Sequence, residues 1–159
     1  MDKVFLRDAI LAQLDAELAL QTEAALTSKD EATNEENKAE DKYDMRSQSA
    51  AYLAAGQAKM ASDIADAIQA YRTLSLATPA PSAPIATGAL VTLSANGRKS
   101  VYFVGPGRGG MEVNVQGTAI TVVTAGSPLG RQLVGRRVGD QATLPGRPVP
   151  IAHVIESVA

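Results

Sequence analysis

Residues 30 to 44 hold Asp30, Glu31, Glu35, Glu36, Glu40, Asp41 and Asp44 against Lys38 and Lys42, seven acids in fifteen positions. Carboxylates at such density offer the hard oxygen donors that Mg²⁺ requires, and one or two of them suffice to hold an ion that keeps most of its waters. The same run also suits a solvated acidic helix start, where the macrodipole favours negative charge. Composition alone does not choose between the two. Within the run, Thr33 and Glu36 have the spacing of a capping box, hydroxyl to amide in one direction and carboxylate to amide in the other.

A second stretch, Ser127-Pro128-Leu129-Gly130-Arg131-Gln132-Leu133-Val134-Gly135-Arg136-Arg137-Val138-Gly139-Asp140, carries no acid–base pair but a complete local design. Ser127 suits an N-cap, Pro128 the first helical position, Leu129 and Leu133 share one face, and Gly135 stands where a left-handed residue ends a helix. Arg131, Arg136 and Arg137 add positive charge that can complement an acidic surface or simply be solvated. Elsewhere the chemistry is sparse. The chain has no cysteine and one histidine, His153, so it offers no thiolate zinc site, no disulfide framework and no Ser-His-Asp set. His153 is read as a surface or strand residue. Gly105-Pro106-Gly107-Arg108-Gly109-Gly110 lacks the Lys-Ser/Thr ending of a phosphate loop and reads as a hairpin loop.

The elements that must position these residues fall into two groups. From about Val4 to Ser28 there is neither Gly nor Pro, and Leu11, Leu14, Leu18 and Ala25 form a near-heptad seam broken by Gln21. A second helical run, from about Asn34 to Leu74, has the seam Ala50, Leu53, Met60, Ile64, Ala67, Tyr71 and Leu74, interrupted by Gln57. Each has a single apolar stripe, so the two are expected to pair as an antiparallel coiled-coil hairpin over residues 1–75, turning within Ser28 to Asn34. Some thirty residues of it would project roughly 45 Å. Residues 76–87, with prolines 79, 81 and 84 and no charge, read as a semi-rigid linker. Beyond lie strand-like runs at Ala89–Leu93, Val101–Val104, Met111–Val115, Ala119–Thr124, Gln141–Leu144 and Ile151–Val158, with turn pairs Asn96-Gly97 and Gln116-Gly117. Residues 88–159 thus predict a small, mostly antiparallel sheet with one short helix, and the chain as a whole an α+β protein.

Charge divides along the same line. Residues 1–75 carry 14 acids against 8 bases, net −6, and residues 76–159 carry 3 against 7, net +4. The acidic half will not hold a nucleic-acid backbone, while the basic half suits an acidic protein surface or the vicinity of RNA. With aromatics at 4% and no dense Lys/Arg stripe, no autonomous, sequence-specific DNA binding is expected. No apolar run reaches bilayer-spanning length, and Met1-Asp2-Lys3 leads into a charged amphipathic stretch, so a cytoplasmic, membrane-free protein is expected.

The Ser127–Asp140 run resembles the signature of the Gre-type (GreA/GreB) bacterial transcription elongation factors. The likeness extends over nearly the whole chain, through the hairpin, the linker, Gly88-Ala89-Leu90-Val91-Thr92-Leu93 and Tyr102-Phe103-Val104-Gly105-Pro106, where a Val-Gly-Pro sequence recurs in the family. It implies a C-terminal domain resembling the FK506-binding-protein fold that docks on RNA polymerase at its secondary channel, with Ser127, Pro128, Leu129 and Arg131 at the contact. It implies further that the hairpin tip is directed at the polymerase Mg²⁺ and, near the nascent RNA 3′ end, promotes cleavage of backtracked RNA. The polymerase performs that chemistry, so the chain is expected to be an accessory factor, not an enzyme, with no cofactor bound alone. The family's tip pattern, Asp-Leu-(Lys/Ser)-Glu-Asn, corresponds to Thr33-Asn34-Glu35-Glu36-Asn37: Glu36 matches, Thr33 replaces the Asp, and Glu35 or Asp30 are the candidates to compensate. Gly126 stands where an Asp or Asn commonly precedes the Ser. The alternative reading is a channel-occupying regulator that does not stimulate cleavage. Prolyl isomerase activity, common in the FK506-binding fold, needs an aromatic-walled apolar pocket, for which residues 76–159 offer only Tyr102 and Phe103.

Overall fold

The structure, a computed structural model, describes residues 2–33, 45–80, 82–144 and 151–159. It is an α+β fold: a pair of long helices, α1 (Lys3–Thr33) and α2 (Met45–Arg72), followed by six strands and one short helix. The strands are β1 (Leu90–Ala95), β2 (Arg98–Gly105), β3 (Glu112–Val115), β4 (Thr118–Thr124), β5 (Gln141–Thr143) and β6 (Ala152–Val158), with α3 (Gly130–Leu133) between β4 and β5. By contacts the chain divides into two compact units, one of residues 1–11 and 70–159, the other of residues 12–69. Among the described residues no helix is long and apolar enough to cross a membrane.

The helices start and run as their sequences dictate, but not where a turn was expected. Asp2 caps α1, its carboxylate accepting the Val4 N–H at 2.8 Å. With no Gly or Pro to stop it, α1 continues through Ser28 to Thr33, so the turn does not lie within residues 28–33. Thr33 lies within α1, so it does not open a second helix as its cap, and its expected partner Glu36 lies outside the described residues. The described part of the second helix begins at Met45, not Asn34.

The seam is also shifted. In the unit of residues 12–69, Leu14, Ser28, Ile64, Ala67 and Ile68 are buried, and Ala54, Gln57 and Ala61 are half-buried. Leu53 and Met60, placed in the seam by size and spacing, are instead 55% and 48% exposed. The run 54, 57, 61, 64, 68, 71 keeps the same three-and-four spacing with smaller side chains, and alanines allow two helices to approach where leucine and methionine would hold them apart.

In the other unit the sheet order is β3-β4-β2-β1-β6-β5. Asn96-Gly97 and Gln116-Gly117 make two-residue turns with positive φ at both positions, 51° and 74°, then 52° and 79°. Four of the pairings are antiparallel as expected; β2 with β4 is parallel. The cause is topological: β3 lies at the sheet edge, so the tight β3–β4 turn brings β4 back beside β2 in the same direction. Alternation gives the inner strands two buried faces. Val91, Leu93, Val104, Val123, Ala142 and Ile155 form one core with Ile85, Leu129 and Leu133, whereas Leu90, Phe103, Ile120 and Val122 are buried on the opposite side.

Residues on that opposite side meet the ends of the long helices. Tyr71 is fully buried and its hydroxyl donates to the Gly107 carbonyl at 2.9 Å. A Cβ at Gly105 would lie 2.2 Å from that hydroxyl, which explains the glycine of the Val-Gly-Pro stretch: the strand must be bare where the phenol crosses it. Lys3 is 7% exposed, donating through Nζ to the carbonyls of Ala77 (2.8 Å) and Gly88 (3.2 Å), and burial pulls its pKa below the ordinary lysine value. The described residues of 75–87 hold no helix or strand, yet Ile85 is buried, its N–H donating to the Arg136 carbonyl and its carbonyl accepting the Gly135 N–H, both at 2.8 Å. His153 lies on β6, buried, with Nδ1 2.8 Å from the Ile151 carbonyl.

Candidate functional site

Thr124, at the end of β4, is the platform on which the Ser127 turn is built. Its carbonyl accepts both the backbone N–H of Ser127 at 2.9 Å and the Ser127 hydroxyl at 2.8 Å. The same hydroxyl oxygen accepts the Gly130 N–H at 3.0 Å, and the Ser127 carbonyl accepts the Arg131 N–H at 2.9 Å. The Ser127 hydroxyl thus caps the turn that leads into α3, but α3 itself begins at Gly130 with Leu129 at its N-cap, two residues later than the expected start at Pro128. Gly130 passes so close over Thr124 that a Cβ would fall 1.8 Å from its carbonyl oxygen. The glycine of Ser-Pro-Leu-Gly is thus a steric necessity, which its position in a motif does not reveal.

The turn sorts its residues by role. Leu129 and Leu133 point into the core, 5% and 0% exposed, as their four-residue spacing predicts. Pro128 and Arg131 face outward, and the Arg131 guanidinium donates to the Gly126 carbonyl at 2.9 Å. Gly135 adopts φ 84° and ends the segment. Gln132, which no local signal singles out, ties α3 to β5: its amide N–H donates to the Thr143 carbonyl at 2.9 Å and its carbonyl accepts the Thr143 N–H at 2.8 Å. Arg137 donates to the Ser82 carbonyl, and Asp140 accepts the Arg137 N–H at 2.9 Å, fixing the loop that follows. Ser127, Pro128 and Leu129 border a groove of about 400 Å³ whose other walls include Tyr102, Val123 and Leu144. Phe103 is on the opposite face of the sheet and fully buried, so Tyr102 is the aromatic residue of this groove.

Of the carboxylates, Asp30 is described and exposed, in the last turn of α1. Asp30 and Glu31 end a helix and do not start one, so the dipole argument for acidic residues at a helix start does not apply to them. Glu35 and Glu36, the candidate metal-directed and catalytic-assisting residues, lie outside the described residues, as do Glu40, Asp41 and Asp44. Among the described residues there is no group of three or more His, Cys, Asp or Glu able to hold a metal ion. The stretch after Gly105 is not the expected hairpin loop: it joins β2 to β3, which are not neighbours because β4 lies between them, with Arg108 at φ 59° and Gly110 at φ 92°.

No protein-family model and no curated protein matches the chain. Among solved structures, it is similar to the GreA factor homolog 1 (Gfh1) protein of Thermus thermophilus, at 20% identity over 94% of each chain with a TM-score of 0.39. Thermus aquaticus Gfh1 gives 16% identity over 92% of each chain and a TM-score of 0.39. Another structure of the transcription factor Gfh1 gives 18% identity over 94% of this chain and 93% of the other, with a TM-score of 0.40.

Proposed function

We propose that the chain is an accessory factor of bacterial RNA polymerase of the transcription-elongation kind, docking at the secondary channel through the Ser127–Arg131 turn. The observation that carries this reading is the turn itself. The Thr124 carbonyl and the capping Ser127 hydroxyl hold it in place, so Pro128 and Arg131 are presented without further ordering beside an apolar groove. That combination of a fixed apolar knob, a groove and a cation suits a protein surface bearing apolar and acidic groups. Its local chemistry agrees with the resemblance of the Ser127–Asp140 run to the Gre signature.

In this reading the hairpin is directed at the catalytic Mg²⁺ of the polymerase, and Glu36, with Glu35 and Asp30, supplies carboxylates that assist it. The chain itself binds and orients; the cleavage chemistry belongs to the polymerase, and the protein works in the cytoplasm. A second reading, occupancy of the channel without cleavage, is favoured by one specific observation: Thr33 stands in place of the family's Asp and belongs to the end of α1. A displacement of about 1 Å can cost roughly a hundredfold where reacting groups must be placed accurately. Isomerase activity is the least supported, because the groove presents Tyr102 without a second aromatic wall. Backtracked elongation complexes decide between the first two. Cleavage stimulated by the protein and lost in Glu36→Ala supports tip chemistry; binding without stimulation assigns the chain to channel occupancy.

A further inference from the structure

Ser28 is 6% exposed in the helix pair, and its hydroxyl does not turn back to its own helix as that of Thr27 does to the Glu23 carbonyl. It donates across to Gln57 Oε1 at 2.8 Å. Beside this bond the helices meet largely through alanines, with Lys29 at the edge of the groove between them. Thr22, Ala25 and Leu26 of α1 face Ala54, Ala58 and Ala61 of α2 across a groove of about 440 Å³, and a second cavity of about 430 Å³ opens beside Ser28 and Gln57. An alanine seam is nearly self-similar when one helix advances a turn along the other, since alanine then replaces alanine. A buried hydroxyl and a half-buried amide are different: displaced from each other, both lose their partner in the seam. Single polar pairs at such positions fix alignment at a cost in stability.

We propose that the Ser28–Gln57 hydrogen bond is an alignment pin, a polar pair that holds the alanine-rich half of the helix pair in one register. The inference concerns the hairpin alone, and its failure is distinguishable from a failure of polymerase binding.

Because the chain has no cysteine, nitroxides can be placed at Ala19→Cys and Ser62→Cys, exposed positions on α1 and α2 that line neither groove. Dipolar spectroscopy is then compared for the labelled parent, Ser28→Thr and Ser28→Val. The last two have the same shape and differ in the hydroxyl. The pin predicts one narrow distance for the parent and Ser28→Thr, and for Ser28→Val a broadened distribution with a component displaced by up to one helical turn, about 5.4 Å. Gln57→Leu removes the bond from the other side and is expected to broaden the distribution likewise, with helix content retained by circular dichroism. A single unshifted distance in folded Ser28→Val or Gln57→Leu, or equal broadening in Ser28→Thr and Ser28→Val, would overturn the proposal.

Discussion

Gly130 and Ser127 carry the architecture of the candidate docking turn, while Pro128 carries its exposed surface, and substitutions should separate these roles. Gly130→Ala forces a Cβ onto the Thr124 carbonyl and is expected to cost about 1–3 kcal/mol; Ser127→Ala, which removes the cap, should cost about 1 kcal/mol. Pro128→Ala should stay within about 1 kcal/mol of the parent, all three being read from urea midpoints. Tyr71 supplies a pH signature of the other face of the sheet. Burial pushes its phenol up to about 12 from the usual 10, against a smaller opposing pull from Arg108. Between about pH 10 and 12 the folded protein keeps the phenolic proton that the unfolded chain releases, so stability is full below pH 10 and falls as pH rises through that window. Two pKa units at about 1.4 kcal/mol each set an upper limit of roughly 3 kcal/mol, which solvent screening at the partly buried hydroxyl lowers to roughly 2 kcal/mol. Tyr71→Phe should remove most of this dependence in denaturant titrations across pH 9 to 12, while costing about 1 kcal/mol at neutral pH through the lost bond to Gly107. A pH profile identical in parent and Tyr71→Phe would contradict the assignment.

At the scale of elements, local signals were legible and non-local ones were not. Both two-residue turns, all six strands and the short helix follow from residues that act within a few positions of themselves: Asn96-Gly97, Gln116-Gly117, the Ser127 cap and Gly135. The parallel β2–β4 pairing depends on which strand occupies the edge, a property of the assembled sheet that no window around Val101 or Ile120 contains. The hairpin seam was misplaced for a related reason. Side-chain size pointed to Leu53 and Met60, but alanines and a glutamine occupy the interface, and Gln57, which reads as a break in an apolar stripe, is part of its bonding. Lys3 was equally hidden, since the carbonyls of Ala77 and Gly88 that receive it lie more than seventy residues away in sequence. In the docking turn the legible part was the cap and the Leu129/Leu133 face. The demand for glycine at 130 and the grip of Gln132 on Thr143 come from neighbouring strands and appear only in three dimensions.

The whole molecule combines an acidic helix pair with a sheet that carries the preorganised Ser127–Arg131 turn. The proposal that this turn binds RNA polymerase is tested most directly by retention on immobilised core polymerase. The parent protein should be retained in a salt-sensitive manner, since Arg131 contributes charge complementarity. Pro128→Ala should lose most of that retention while its urea midpoint stays close to the parent's. No retention of the parent, or retention unchanged in Pro128→Ala, would contradict the account.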